Sequence, residues 1–290
     1  MNKPATMLTS SGFALASADQ VSSAQWRSTI NTRFTQPQFL ALNGLLYRPG
    51  IGHYELADSV GVDRASMGPM LNRLIEQQLV ERRKDPKDSR RSMLFLLPQA
   101  EALLEEMAAL VDTVDTLLMS PLNASEQAAL VQSWAMVVDE PIFSTHDVVI
   151  NPIIRPLTHY PWFYLREACR HYRRLWREHV DDAISASLFS LMEVVANTPG
   201  IDIRSAAQMA SIEESNAVRM VMRMVRTRMM RDPRDPNDAR RSLLSLTESG
   251  DLRYRELSTR LPLVQSALTR RLPPLAIGEF HRLTCLVARL

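Results

Sequence analysis

A chain of 290 residues, of which 46% are hydrophobic, is long enough for two ordinary domains and too apolar to be disordered throughout. Its formal net charge of +2 is near neutral, and its two cysteines, Cys169 and Cys285, exclude a disulfide framework or a cysteine-rich zinc site. No apolar run reaches the roughly 18 residues of a transmembrane helix, and residues 1–20 lack the pattern of a signal peptide, so we expect a cytoplasmic protein without a membrane partner.

Residue usage favours helices. Only 9 glycines occur, alternating Val/Ile/Thr runs are scarce, and Met, Leu, Ala, Arg and Glu are abundant, so we expect a mainly α fold. The charge is unevenly distributed, because residues 1–145 carry 12 basic and 16 acidic side chains whereas residues 146–290 carry 22 and 16. A basic half suits a polyanionic partner such as DNA, although an arginine-rich solvated face gives the same count.

The first half predicts a series of helices with one pair of strands. A Pro-Gly pair at 49–50 ends the second helix, and the sequence DPKDSRRS at 85–92 forms a charged loop between the strands. The predicted helices cover about 12–32, 36–47, 55–61, 63–78, 98–119 and 124–138, and the strands cover 79–85 and 92–96.

The second half repeats the first at an offset of 150 residues. The loop DPKDSRRS returns as DPNDARRS at 235–242, and Trp26-Arg27 returns as Trp176-Arg177. From position 48 to 97, 14 of 50 residues are identical without a gap. We therefore predict a tandem duplication, with a first domain over 1–140, a linker over 141–160 and a second domain over 161–290. Its helices are expected at about 162–180, 187–197, 205–211, 214–227, 248–270 and 276–290.

A helix, a turn, a second helix and a two-stranded wing are the parts of a winged helix-turn-helix, whose second helix enters the major groove of DNA. In the first copy Asp63 is a natural N-cap of that reading helix, and apolar residues recur at helical spacing toward a core. An ordinary capped surface helix explains the same pattern. The candidate DNA-binding residues on the two reading helices are Arg64, Ser66, Gly68, Pro69, Arg73, Ser215, Asn216, Arg219 and Arg223.

The wing loop carries the repeated charges. An arginine at a wing tip can enter a narrow minor groove, and a neighbouring carboxylate can hold its side chain extended. A solvated turn is the alternative, but the pattern persists in two otherwise divergent copies. The candidates are Asp88, Arg90 and Arg91 in the first copy and Asp238, Arg240 and Arg241 in the second.

Each copy resembles the MarR family of winged-helix regulators. The resemblance lies in TQPQFLAL at 35–42, in residues 55–96 with their reading helix and wing, and in DPNDARRSLLSLTESG at 235–250. It implies a dimer held by N- and C-terminal helices, in most members a repressor that a small aromatic carboxylate or phenol releases from a pseudo-palindromic operator of a catabolic or efflux operon. Because one chain supplies both halves, we expect two tandem winged helix-turn-helix domains forming a monomeric pseudo-dimer, with a homodimer as the alternative.

Three departures from the family pattern stand out. Pro69 falls inside the reading helix, so this helix is expected to start late or to kink. Leu97-Pro98-Gln99-Ala100 replaces the Leu-Thr-x-x-Gly that follows the wing in the family. Residues 211–214 read as a capping box that brings Glu213 and Glu214 toward DNA phosphates, so we expect unequal copies and an imperfect operator.

The segment 159–176 is the most aromatic and basic part of the chain. The family binds ligands between its dimerisation helices and its reading unit, and an aromatic floor with an arginine suits a planar carboxylate. Packing in the core or between the copies is the alternative for each of these residues. The ligand-binding candidates are Trp26, Arg27, Trp162, Tyr164, Arg166, Arg170 and His171.

Other function classes receive less support. Some MarR relatives sense peroxides, and Cys169 lies among arginines that lower a thiol pKa, so a redox-sensing repressor is one alternative and a buried inert thiol the other. A winged-helix module that binds proteins is a second alternative to DNA binding. The chain has no phosphate-binding glycine loop, nucleophile elbow or metal-ligand spacing among its 6 histidines, so we expect neither an enzyme nor a cofactor.

Overall fold

The computed structural model describes residues 3–30, 34–88, 92–138, 151–235 and 238–290, with only the backbone described at position 5 and over 234–235 and 238–242. The chain divides into two compact units. The first-copy unit contains residues 22–121 and 138–167, and the second-copy unit contains residues 1–21, 122–137 and 168–290. Each unit therefore holds one winged-helix segment together with N-terminal residues of the other copy.

The first-copy winged helix forms as the sequence predicts. Thr35 caps its first helix, because the Thr35 hydroxyl accepts the Gln38 N–H and the Gln38 side chain accepts the Thr35 N–H. The strands pair antiparallel from Val80 opposite Leu96 to Lys84 opposite Ser92. The elements are α3 (Gln36–Tyr47), α4 (His53–Ser59), α5 (Arg64–Glu76), β1 (Val80–Lys84), β2 (Ser92–Leu96) and α6 (Pro98–Met119).

The second copy repeats this order of elements. The elements are α9 (Ala186–Asn197), α10 (Ile203–Met209), α11 (Glu214–Arg226), β3 (Met230–Arg231), β4 (Arg234–Asp235), β5 (Asp238–Ser242), β6 (Ser245–Leu246), α12 (Glu248–Ser258), α13 (Leu261–Thr269) and α14 (Pro274–Ala288). Two short antiparallel pairs of strands form the wing. The outer strands, β3 and β6, pair with each other, and the inner strands, β4 and β5, form the second pair.

Two predictions for the second copy are wrong. Residues 238–242, expected in the charged loop, form strand β5 and pair with β4. The single long helix expected over 248–270 is two helices, because Pro262 has no N–H to continue the hydrogen-bond ladder and instead occupies the first turn of α13.

The remaining helices are α1 (Ala5–Leu8), α2 (Ser11–Ile30), α7 (Ala124–Val137) and α8 (Pro161–His179), with a 3₁₀ turn at Leu157–His159. We call α2 and α8 the leading helices, since each precedes the winged helix of its copy. No helix in the described part of the chain is long and apolar enough to cross a membrane.

The start of each leading helix is capped by a side chain from a helix of the other copy. In the first-copy unit, Asp115 Oδ1 of α6 accepts the Trp162 N–H of α8 at 2.8 Å. In the second-copy unit, Gln265 Oε1 of α13 accepts the Ser11 N–H of α2 at 3.2 Å. Positions 115 and 265 are 150 residues apart, so the two copies exchange equivalent caps and satisfy N–H groups that have no partner within their own helix.

The Asp115 cap makes stability depend on pH. Burial raises the pKa of Asp115 to about 8, although the Trp162 N–H acts in the opposite direction. Because this pKa lies above that of the unfolded chain, the folded protein holds an extra proton, and the stability from this group is lost as the pH rises toward 8. We expect an unfolding free energy that falls by up to about 1.4 kcal/mol per pH unit between the two pKa values. Asp115→Asn should remove this slope in denaturant titrations at pH 5 to 8, and an unchanged slope would contradict the assignment.

Candidate nucleic-acid interface

A surface cleft of about 510 Å³ lies between the start of α4, the exposed side of α5 and the wing in the first-copy unit. We call it the wing cleft. It combines cationic, aromatic and small side chains next to the helix that would read DNA. Its lining residues are Gly52, His53, Tyr54, Glu55, Gly68, Asn72, Arg82 and Ser92.

Capping and amphipathic spacing position α5 over this cleft. The Asp63 carboxylate accepts the Ser66 N–H at 3.1 Å, which confirms Asp63 as the N-cap and gives Ser66 a capping role. Met67, Leu71 and Leu74 are buried, so their side of the helix packs into the core. Gly68 and Asn72 consequently face the wing cleft, and Arg73 is exposed on the same helix.

Pro69 neither delays nor interrupts the reading helix. α5 begins at Arg64 and continues through Pro69 to Glu76, so the predicted late start is wrong. Proline removes one helical hydrogen bond, but the cap and the buried apolar side stabilise the rest of the helix. Pro69 is exposed.

Arg64, at the first position of α5, is held in a defined orientation. Its Nε donates to Asp58 Oδ1 at 2.9 Å, a second N–H bonds Asp58 Oδ2, and the guanidinium lies 5.7 Å from the centre of the Tyr54 ring. The carboxylate raises the pKa of Arg64 and partly neutralises its charge. Contact between Arg64 and a phosphate or base therefore competes with Asp58.

Arg82 supplies positive charge to the wing cleft, and His53 lines the cleft with it. Partial burial lowers the pKa of His53, and the positive charge of Arg82 lowers it further, so the imidazole is neutral at physiological pH. Neither residue was among the sequence-based candidates. The exposed basic run from Arg82 to Lys84 on β1 offers a weak signal, but only the fold brings this strand beside the start of α4.

His53 predicts a pH dependence of DNA binding. A phosphate beside the imidazole favours its protonated form, so binding takes up a proton and affinity should rise as the pH falls toward the lowered pKa of His53. Fluorescence anisotropy with a labelled operator between pH 5.5 and 8 measures this effect. His53→Gln should flatten the profile, whereas an unchanged profile in that variant would exclude His53 as its source.

The wing candidates are only partly described. Arg90 and Arg91 lie outside the described residues, and Asp88 is exposed. For Asp238, Arg240 and Arg241 the backbone lies in β5, which pairs antiparallel with β4.

At the positions equivalent to the wing cleft, the second copy carries side chains of a different chemistry. At an offset of 150, Gly68 becomes Val218, Asn72 becomes Met222 and Arg82 becomes Asp232. Val218 is 38% exposed and Met222 is 68% exposed. A small, polar and cationic surface in one copy is thus bulky, apolar and less cationic in the other.

The start of α11 also differs from the prediction. The expected capping box over 211–214 is wrong, because Glu213 is the N-cap residue and makes no side-chain capping bond. Ser211 has a left-handed backbone (φ +53°), and its hydroxyl accepts from Lys3 Nζ at 2.9 Å. The Ser215 hydroxyl donates to Glu213 at 2.8 Å.

The two candidate arginines of α11 have partners within the second-copy unit. Arg219 donates to the Asn216 side chain, and Arg223 donates to the Ala183 carbonyl at 3.0 Å. Arg219 and Arg223 are both exposed on the helix that carries Val218 and Met222.

Two of the ligand-binding candidates belong to the core. Trp26 and Trp162 are buried, their ring centres are 5.2 Å apart, and Trp26 Nε1 donates to the Phe34 carbonyl at 2.9 Å. In the second copy, Trp176 Nε1 makes the equivalent bond to the Ile184 carbonyl at 2.7 Å. This repeated bond favours the packing alternative for Trp26, and the burial of Trp162 favours it for that residue as well.

The other candidates on α8 are dispersed. His171 is buried with its Nδ1 2.9 Å from the Arg174 guanidinium, Tyr164 is half-buried, and Arg170 is exposed. Arg27, on α2, is exposed. Cys169 is buried, which favours an inert thiol over a peroxide sensor.

Two adjoining clefts lie beside α8 in the second-copy unit. The inner cleft, of about 160 Å³, lies between the leading helices, α9 and the turn before α11. The arginine cleft, of about 390 Å³, adjoins it and is lined by residues of α8 and of the start of α9. They share Arg173, Ala186 and Ser187. The arginine cleft is also lined by Arg170 and by Arg177, Trp176, Asp182 and Ser185.

This arrangement can bind a small aromatic anion. Arg173 is oriented by Asp19, 2.6 Å away, and Arg170 and Arg177 lie on the same helix. The start of α9, where Ser185 caps the Leu188 N–H, contributes the positive end of a helix dipole. Tyr172 and Arg173, which sequence reasoning did not select, line the inner cleft.

Residues 34–92 match the MarR family. That range includes every residue that lines the wing cleft. The transcriptional regulator HosA of Escherichia coli O157:H7 is 29% identical over 113 residues, which are 39% of this chain and 83% of HosA. The transcriptional repressor NicR of Pseudomonas putida is 29% identical over 107 residues, which are 37% of this chain and 68% of NicR.

The MarR match and these relatives support a winged-helix, DNA-binding transcriptional regulator and not an enzyme. Among solved structures, the regulator PcaV of Streptomyces coelicolor in complex with its natural ligand is 26% identical, with a TM-score of 0.44. The similarity covers 46% of this chain and 94% of PcaV.

Proposed function

We propose that this chain is a ligand-responsive transcriptional repressor in which a single polypeptide supplies both DNA-reading heads. The observation that carries the proposal is the wing cleft, where His53 and Arg82 lie beside the capped reading helix inside the MarR-matching range. The reading helix enters the major groove, and the neighbouring basic side chains bind the phosphates that flank it.

The exchanged helix caps support a pseudo-dimer. Copies 1–140 and 161–290 each cap the other's leading helix, as the Asp115–Trp162 and Gln265–Ser11 bonds show. A symmetric homodimer would make equivalent bonds between two chains. Here the 141–160 segment joins the two halves covalently, so the proposed operator carries two half-sites for one molecule.

The operator is an imperfect palindrome in this proposal. Val218 and Met222 of α11 suit apolar contact with thymine methyl groups, whereas Asn72 of α5 suits hydrogen bonding to an adenine edge. The two half-sites therefore differ in the bases that they prefer.

The proposed effector is a planar aromatic carboxylate or phenol in the second-copy clefts. Arg170 and Arg177 offer bidentate donors for a carboxylate, and Tyr172 offers an aromatic wall. A ligand that prefers a different separation of the reading heads lowers DNA affinity by its differential affinity for the two states.

A salt titration tests DNA binding directly. Duplexes selected from a random library are titrated by anisotropy between 50 and 300 mM salt, and a steep negative log–log slope is expected from several phosphate contacts. Arg82→Ala should reduce this slope by about one. Arg83→Ala is the matched control, because Arg83 pairs with Glu81 and lies 4.7 Å from the centre of the Phe95 ring. Failure to select any duplex would favour the protein-interaction module, for which the exposed Val218 and Met222 would be contact residues.

A further inference from the structure

The leading helices align at the offset of 150, and one of the positions at which they differ lies beside each reading unit. Phe13 corresponds to Phe163, Leu15 to Leu165 and Trp26 to Trp176 at the offset of 150. Between these matches, position 16 is alanine and its equivalent, position 166, is arginine. The surroundings of the two positions show what this difference does.

In the first-copy unit, Arg166 reaches the turn between α4 and α5. Its guanidinium donates to the Gly61 carbonyl at 2.8 Å and to the Val60 carbonyl at 3.4 Å, and it pairs with Glu167 at 2.8 Å. The Arg166 side chain is only 17% exposed. A side chain held by three acceptors thus occupies the space between the leading helix and the reading unit.

In the second-copy unit, the equivalent space is the inner cleft. Its lining includes Ala16, which corresponds to Arg166, and Ser211, which corresponds to Gly61. Ser190 also lines it, and its equivalent, Leu40, is fully buried in the first copy. Two large side chains of the first-copy unit are therefore replaced by two small ones where the cleft is open.

We propose that Arg166 is a built-in plug that closes the effector site of the first copy, so the chain binds one aromatic carboxylate, in the second-copy unit alone. Ala16 and Ser190 are the residues that keep this site open. The inference rests on the proposed effector, and it adds the number of sites and the residues that set it. One binding event per chain then gives a non-cooperative response, with a Hill coefficient of one.

The first test counts sites. Salicylate and 4-hydroxybenzoate are titrated into the full chain by calorimetry, and one site per chain is expected. Ala16→Arg should weaken binding at least tenfold by placing a guanidinium against the turn at Ser211, while Ala16→Ser should keep the affinity within about twofold. If Ala16→Arg does not fold, as judged by circular dichroism, Ser190→Leu replaces it. Two equivalent sites, or unchanged binding in the plugged variant, overturns the proposal.

The second test needs no effector. In a background that carries Cys169→Ser and Cys285→Ser, the rate of reaction with 5,5′-dithiobis(2-nitrobenzoate) is compared for Ser190→Cys and Leu40→Cys. Ser190→Cys is expected to react at least tenfold faster, and adding Arg166→Ala should raise the rate for Leu40→Cys. Equal rates with Arg166 present contradict the plug. If neither acid binds, the aromatic effector and the single-site claim both fail, while the thiol rates still decide whether Arg166 closes the first copy.

Discussion

Gly68→Val is expected to lower DNA affinity at least tenfold, about 1.4 kcal/mol, while the free protein stays folded. Gly68 lines the wing cleft on the reading helix, and a Cβ added there meets nothing within 4 Å. Apart from its chain neighbours a side chain there meets open space, and the higher helix propensity of valine offsets part of the steric cost of a Cβ before Pro69. The loss arises only in the complex, because the new side chain occupies space into which DNA must fit.

The matched control for this variant is Gly278→Val. Gly278 also lies within a helix, α14, and a Cβ there also meets nothing within 4 Å, but it is remote in sequence from the wing cleft. Both variants should be folded at the assay temperature, and only Gly68→Val should lose affinity in the anisotropy assay. Full affinity in Gly68→Val would remove the wing cleft from the DNA interface.

Trp26→Ala is expected to cost about 3–5 kcal/mol of unfolding free energy. The indole is 3% exposed, packs edge-on against Phe39 at 5.7 Å and donates to the Phe34 carbonyl. Trp26→Phe keeps most of the ring volume but leaves that carbonyl unpaired, so its cost should be nearer 1–3 kcal/mol. Denaturant titration at constant pH measures both values.

Arg27→Ala is the control for Trp26→Ala. Arg27 is the exposed neighbour of Trp26 and was predicted to bind the ligand on the same grounds. A change within about 0.5 kcal/mol is expected for this surface position. If Trp26→Ala kept its stability and lost only effector binding, the indole would be a ligand contact and not part of the core.

Much of the fold follows from local sequence. α3 has the predicted bounds because Thr35 and Gln38 form its cap and Arg48-Pro49-Gly50 ends it. The wing strands of the first copy also match, since a charged turn separates two short runs that pair in register. In each case the signals lie within a few residues of the element that they define.

The errors arose where distant residues decide the outcome. Ser211 could not be recognised as the partner of Lys3, so its predicted capping role was wrong. The break between α12 and α13 lies at Pro262, inside the single helix predicted over 248–270. Arg82 and His53 meet only after the wing folds beside α4, and the exchange of helix caps depends on contacts more than 40 residues apart.

The central claim is that one chain carries both reading heads. Native mass spectrometry of the complex with the selected operator gives the number of chains per duplex, and hydroxyl-radical footprinting on the same duplex gives the span of contacts. One chain per duplex is predicted, with protection on two half-sites about one helical turn, roughly 34 Å, apart. Two chains per duplex, each protecting a single half-site, would contradict the pseudo-dimer.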